Sequence, residues 1–420
     1  MSRIWDGLRA VGRGALAVRD VHRALSTGKK IEVRAPSSWR NPLLSATDEI
    51  RCDHTVLMGA PGSGKTSLMQ ELWMHDFKRA KAGDMSSIVI DSSDLIDDLI
   101  AHARLERLDN VVLIDPADPA SMPRLNLFAS SIRGNAMVET ANFIGTFVGV
   151  CTGLLDTELT LPMRTLFTAS AQMMMQVERP TLWTLLQLFQ DPAAFLERYG
   201  GDAPPRATQF FLDQVINAKK GGGMTATVGA LGSRIYGITM NPIMDRLLVN
   251  EEPSVDIAHR INEGAIVLVA TRKAQLSSEG CKLLGKFVIS MTRRAVMERQ
   301  PIPRPERKFT CLMIDEFQNY LAGGRDPELC ELMDQDARKN AVALLLACQR
   351  PGQLHKDMGD AIESSTGTKI MGRLNNPTFV ERMAKSMRAD KEELGALNKG
   401  EFMMSVTDPS KRRAATVVHK

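Results

Sequence analysis

The segment Gly59-Ala60-Pro61-Gly62-Ser63-Gly64-Lys65-Thr66 meets the pattern G-x-x-x-x-G-K-[ST] at every required position, and it constrains the fold more than any other feature of the chain. A loop of this kind needs a buried strand before it and a helix after it. Thr55-Val56-Leu57-Met58 reads as that strand, and Ser67 to Trp73, with apolar residues at helical spacing, reads as that helix. The glycines strip side chains from the loop so that successive backbone N–H groups converge on phosphate oxygens, and the helix N-terminus adds partial positive charge. Gly59, Ala60, Pro61, Gly62, Ser63, Gly64, Lys65, Thr66 and Ser67 are therefore the expected nucleotide-cradling residues. Lys65 is expected to reach the β- and γ-phosphates and Thr66 to place a hydroxyl on Mg²⁺, which makes ATP and Mg²⁺ the expected cofactors.

The surrounding sequence repeats strand, loop and helix. Ser87–Asp91 and Asn110–Asp115 are short β-branched runs, each ending in an aspartate, separated by a helical stretch from Asp94 to Arg107. This alternation implies an α/β fold with a mostly parallel sheet covered on both faces. Such sheets bind ligands at the C-terminal ends of their strands, where Asp91 and Asp115 fall. Between about Glu139 and Pro253 the strand pattern disappears, and Leu, Met and Phe recur at helical spacing through Thr165–Val177 and Thr181–Phe189, the signature of an all-helical insertion. Its basic loop Lys219-Lys220-Gly221-Gly222-Gly223 is either a contact to a phosphate backbone or a solvated connector. Strands resume at Ala265–Ala270, followed by a helix from Ser277 to Arg299.

Phe309 to Phe317 is an apolar strand that delivers two adjacent carboxylates, Asp315 and Glu316, at its end. ATP hydrolysis requires such a pair: Asp315 is expected to hold Mg²⁺ through its water shell, and Glu316 to polarise the attacking water as a general base. The next buried run, Ala341–Cys348, ends at Gln349, where an amide can bond both the γ-phosphate and the lytic water. Arg338 precedes that run and is expected to face away from its own nucleotide. It is either a finger that stabilises transfer in an adjacent subunit or a surface salt-bridge arginine.

Composition narrows the class. With 420 residues, 44% hydrophobic and 24% charged, neither disorder nor a fibrous chain is credible, and there is room for a large α/β domain plus a second module. A net charge of +4 is weak evidence for nucleic acid. The six cysteines are scattered singly without ligand spacing, as expected of buried thiols in a reducing cytoplasm. The longest uncharged run, Thr140–Leu155, has 16 residues, short of the roughly 20 a spanning helix needs, so a soluble, cytoplasmic protein is expected. Residues 1–30 read as a basic amphipathic helix, packed either on the protein itself or a neighbouring subunit, or on the anionic inner face of the membrane.

Together, the phosphate loop, Leu312-Met313-Ile314-Asp315-Glu316, Arg338-Lys339, Ala347-Cys348-Gln349, Gly367-Thr368-Lys369-Ile370 and Leu397-Asn398-Lys399-Gly400-Glu401-Phe402 resemble the HerA/FtsK superfamily of motor ATPases. Within it, the chain is most similar to the conjugative coupling ATPases of type IV secretion, the TraG/TraD kind, over roughly residues 40 to 408. The resemblance implies a RecA-like P-loop motor formed by residues 41–135 and 255–420, an all-helical insertion at 136–254, and an N-terminal helix and linker at 1–40. It also implies a ring, most often hexameric, in which hydrolysis pulls DNA through a basic channel, with conjugation, secretion or packaging machinery as partners. Phosphate contacts would dominate that channel, because only 5% of the residues are aromatic. The chain departs from the family in lacking membrane-spanning helices and in having Asp91-Ser92-Ser93-Asp94 where relatives often carry a lysine or histidine and a glycine. Two other functions fit the same core: an ATPase that energises protein export or virion packaging, and an ATP-dependent scaffold or switch. Glu316 argues against the scaffold, since a pure binder needs no base.

Overall fold

A computed structural model describes residues 31–33, 46–106, 109–120, 122–128, 140–141, 143–145, 147–148, 151, 160–218, 223–321, 326–349, 354–408 and 413–419. The expected helix at 1–30 and most of the basic loop at 219–223 lie outside these residues. The strands are β1 (Ile31–Val33), β2 (Thr55–Met58), β3 (Met85–Asp91), β4 (Val111–Ile114), β5 (Ile266–Ala270), β6 (Phe309–Ile314), β7 (Val342–Cys348), β8 (Thr368–Met371), β9 (Phe402–Asp408) and β10 (Arg413–His419). They form one sheet in the order β1, β10, β9, β8, β2, β7, β6, β3, β5, β4. All neighbours from β8 through β2, β7, β6, β3 and β5 to β4 are parallel, while β9 runs antiparallel to both β8 and β10.

The central strands β2, β3, β5, β6 and β7 are buried at every position because both faces are covered, and their period of two sorts side chains between two cores. Val56, Met58, Ile88, Ile90, Leu312, Ile314, Leu344 and Leu346 enter one core. Leu57, Val89, Cys311, Met313, Ala343 and Leu345 enter the other. Helix α1 (Asp48–Arg51) leads into β2, and α2 (Lys65–Lys81) follows the phosphate loop; α2 and α3 (Asp94–Glu106) cover the second core through Leu68, Leu72, Trp73, Phe77, Ile96 and Leu99.

On the first face lie α4 (Leu161–Met174), α5 (Leu182–Gln190), α6 (Pro192–Tyr199), α7 (Pro205–Phe211), α8 (Thr225–Thr239) and α9 (Pro242–Leu248), followed by α10 (Ile257–Asn262) and α11 (Lys273–Glu298). Local chemistry starts these helices: Thr160, Thr181, Asp191 and Asn241 each cap one with a side-chain oxygen, and prolines fill first-turn positions of α4, α6, α7 and α9. The end of this stretch is tied to the segment that follows β4 by an isolated bridge between Asn126 and Val249 and a bond from Leu125 N–H to Leu247 O, 2.8 Å. Within α11, Ser277 has φ 63° and ψ 172°, so the unbroken helix begins beyond it, where the sequence sets its start.

None of the six cysteines forms a disulfide, and all but the half-buried Cys330 are buried. Among the described residues no helix is long and apolar enough to cross a membrane.

Candidate nucleotide site

The phosphate loop leaves the end of β2 between β7 and β8, and both neighbours hold it. Gly59 N–H donates to Cys348 O at 3.3 Å, Ala60 N–H to Arg373 O at 2.8 Å, and Gly372 N–H to Met58 O at 2.8 Å. From the far side, Gly400 N–H donates to Ser63 O at 2.9 Å. A Cβ on Gly372 would stand 2.9 Å from the Phe402 ring, so glycine lets that ring seat the loop. Gly62 and Gly64 take φ of +73° and +103°, a turn that L side chains rarely adopt, and nothing lies within 4 Å of where a Gly62 side chain would be. Thr66 and Ser67 are exposed at the start of α2, whereas Lys65 is buried and its Nζ donates to Gly59 O at 2.9 Å. Burial lowers the Lys65 pKa, opposed by the charges of Glu316 and Asp315.

Asp315 and Glu316 follow β6, separated from β2 only by β7. Asp315 N–H donates to Ile90 O at 3.1 Å, and its carboxylate accepts Glu316 N–H at 2.9 Å. Burial, then the neighbouring Asp91 and Glu316, push the Asp315 carboxyl up to about 7. Asp91, at the end of β3, is also raised by burial, even though Ser92 N–H, Ser93 Oγ and Ile96 N–H all donate to it. Glu316 adopts φ 49° and ψ 45°, a left-handed turn costly for a side chain of this size, which opens the 3₁₀ turn Phe317–Tyr320. Gln318 Nε2 donates to Glu316 Oε2. Glu316 Oε1, Gln318 Oε1 and Ser63 Oγ are buried without a hydrogen-bond partner. The turn is braced behind by Tyr320 OH, 2.6 Å from Thr271 Oγ1, and Thr271 N–H donates to Asp91 O at 2.8 Å.

Gln349 emerges at the end of β7, and is thereby set between the phosphate loop and the acid pair. The loop, Lys65, Asp315, Glu316 and Gln349 thus gather at the C-terminal end of the sheet. Arg338 does not. It lies in the short helix α12 (Ala337–Lys339) ahead of β7, at the opposite end, with Nε 2.8 Å from Asp53 Oδ1. Asp115, at the end of β4, is taken up by Arg104 and Arg272 at 3.4 and 3.3 Å.

Sequence reasoning missed Gln318, whose spacing two residues past Glu316 is a usable signal, and it named Phe402 only as part of a resemblance, without the packing on Gly372, for which there is no signal. It also did not anticipate the closeness of Asp91 to Asp315, which follows from the pairing of β3 with β6. Among the described residues no group of three or more His, Cys, Asp or Glu side chains gathers to hold a metal ion. One buried carboxylate and one exposed hydroxyl beside an open phosphate loop still fit Mg²⁺, which takes few protein ligands and completes its shell with phosphate and water.

Neither a family model nor a curated protein sequence matches the chain. Solved structures do. The bacterial conjugative coupling protein TrwBdeltaN70, in its unbound form, is 14% identical with a TM-score of 0.64, covering 95% of this chain and 91% of that one. Plasmid coupling protein TrwB in complex with the ATP analogue ADPNP is 12% identical with a TM-score of 0.66, covering 95% and 92%. VirB4 of Thermoanaerobacter pseudethanolicus is 12% identical with a TM-score of 0.51, covering 87% and 89%. At these identities the likeness is one of fold. This chain shares their fold, a RecA-like P-loop architecture with a mostly parallel sheet flanked by helices.

Proposed function

We propose that this chain is an ATP-hydrolysing motor of the conjugative coupling-protein type, which works as a ring, most simply a hexamer, and moves DNA by contacts to its backbone. One observation carries the reading: Lys65, Asp315 and the unpartnered Oε1 of Glu316 meet at an open, glycine-turned phosphate loop. The fold supports it, since TrwB, in complexes with ADPNP and with ADP and Mg²⁺, shares it. In this reading residues 136–254 form an inserted helical unit, and residues 1–30 are the part that would touch a membrane.

The loop N–H groups bind the phosphates, and Lys65 gives up its bond to Gly59 O to reach the β- and γ-phosphates. Thr66 and, through the ion's water shell, Asp315 would hold Mg²⁺, which would supply charge neutralisation on the transferring phosphoryl group. Asp315, raised to about 7, would release any proton it carries to solvent on taking up the ion. Glu316, one oxygen held by Gln318, accepts a proton from the attacking water through the other. Gln349 bonds the γ-phosphate and that water, and Arg338 completes the site of the next protomer.

ATP turnover with and without double-stranded DNA, beside Lys65→Ala and Glu316→Gln, tests this. DNA should accelerate wild-type turnover. Lys65→Ala should lose nucleotide binding, and Glu316→Gln should keep binding while turnover falls at least about a hundredfold. Turnover that ignores DNA at low salt, yet still depends on Glu316, would move the reading to an ATPase that energises protein export or packaging.

A further inference from the structure

The end of the sheet away from the nucleotide holds an arrangement that the phosphate site does not use. Asp53 and His54 form the turn that enters β2, six and five residues ahead of Gly59. Both reach the segment that carries Arg338. Asp53 Oδ1 stands 2.8 Å from Arg338 Nε. His54 Nε2 is 3.0 Å from Met333 O in the π-helical turn Leu332–Asp336, and His54 Nδ1 accepts Leu344 N–H at 3.3 Å at the start of β7. These two bonds set the imidazole as the neutral Nε2–H tautomer.

The seat is built from the other side as well. Gly367 N–H donates to Asp53 O, and a Cβ on Gly367 would stand 2.7 Å from Asp53 Cβ. Glycine at 367 is what allows Asp53 to occupy this place. The two partners of the ion pair differ in exposure: the Asp53 side chain is 8% exposed and the Arg338 side chain 53%. An ordinary surface pair leaves both partners solvated and worth little. Here a buried carboxylate anchored in the core grips one nitrogen of an arginine whose remainder faces outward, from a segment locked by Arg307 Nη1 to Lys339 O at 2.7 Å and Arg299 Nη1 to Asn340 O at 3.0 Å. Holding a flexible guanidinium in advance removes the entropy cost of fixing it when it meets phosphate.

We infer that Asp53 is a positioning residue that presents Arg338 to the nucleotide of the adjacent protomer. The inference rests on the ring reading above, and it adds a residue that the phosphate-loop and acid-pair motifs do not include. It also places the anchor of the outgoing arginine and the protomer's own phosphate loop on the two ends of one four-residue strand, β2.

Subunit mixing tests it, with DNA-stimulated ATP turnover as readout and binding of a fluorescent ATP analogue as control. Asp53→Asn, close in shape, should lower kcat about tenfold or more, leave analogue affinity within about twofold, and add no further loss to Arg338→Ala. Asp53→Glu should restore part of kcat. Asp53→Asn protomers mixed with Lys65→Ala protomers should regain turnover, because the second supplies a sound arginine to the first. Mixed with Arg338→Ala protomers they should not. A loss of folding would not complement in this one-sided way. If Arg338→Ala abolishes turnover and Asp53→Asn leaves kcat unchanged, or if Asp53→Asn complements Arg338→Ala, Asp53 does not position the arginine. If Arg338→Ala itself keeps full turnover, the trans arginine fails, and the inference falls with it.

Discussion

The two ends of the four-residue strand β2 have opposite chemistry. At its C-terminal end the polar groups are left wanting: Ser63 Oγ, Glu316 Oε1 and Gln318 Oε1 have no partner, Asp315 is raised toward neutrality, and Gly62 faces open space. At its N-terminal end more of the polar groups are tied to partners, although Asn340 Oδ1 and Thr368 Oγ1 there are also buried without one. His54 bonds through both ring nitrogens. Nearby, Arg299 is buried and donates to Asn262 Oδ1, Lys308 O, Asn340 O and Thr310 Oγ1, tying the end of α11 to the starts of β6 and β7. Unsatisfied buried groups cost stability and persist where a ligand satisfies them, while satisfied ones hold an edge rigid. One end is organised for binding, the other for placement.

The sharpest way to break this contrast is to mutate both ends and read both properties. Lys65→Ala should remove nucleotide binding and lower turnover by about a thousandfold or more with little change in thermal stability. Arg299→Ala should do the reverse, costing about 3 kcal/mol or more in urea unfolding because it strands several buried acceptors. A Lys65 variant that unfolds, or an Arg299 variant of normal stability, would erase the distinction.

The ends should also titrate in opposite senses. Burial, more than the nearby Arg338, lowers His54 from 6.5 to about 4, outweighing its bond to Met333 O. The unfolded chain therefore binds the proton more readily between these values, and His54 contributes up to about 3 kcal/mol above pH 6.5 that is lost as pH falls toward 4. Asp315, raised from 3.8 to about 7, contributes stability below pH 3.8 that is lost as pH rises to 7. Unfolding free energy measured from pH 4 to 8 should become less sensitive to acid in His54→Asn, a residue that also accepts the left-handed backbone at this position, where φ is +60°. It should become more sensitive to acid in Asp315→Asn. The smallest effect concerns the cofactor. Mg²⁺ in the presence of nucleotide should bind more weakly at pH 6 than at pH 8, by about tenfold, since the proton on Asp315 competes with it, and Asp315→Asn should abolish that pH dependence.

Much of the fold was legible because parallel strands announce themselves. β2, β3, β5, β6 and β7 are buried at every position, so their sequences are near-continuous apolar runs, and the loop and acid pair sit at their ends. The flank β8, β9 and β10 was not read as strands, because Thr368–Met371 begins with threonine and lysine and Phe402–Asp408 mixes serine and threonine with methionine. Arg338 was left between two readings by sequence, and its ion pair with Asp53 spans 285 positions, beyond any local pattern.

The sequence by itself determined the strand-loop-helix unit around Gly59–Thr66 and the carboxylates ending β6, because each depends on local backbone geometry and hydrophobic period. Only the tertiary structure decided that β7 lies between them, which sets Gln349 between Lys65 and Glu316, that Asp91 crowds Asp315, and that Asp53 grips Arg338. Those relations arise from strand order and burial, and both are settled by how distant segments share a core rather than by any one of them alone.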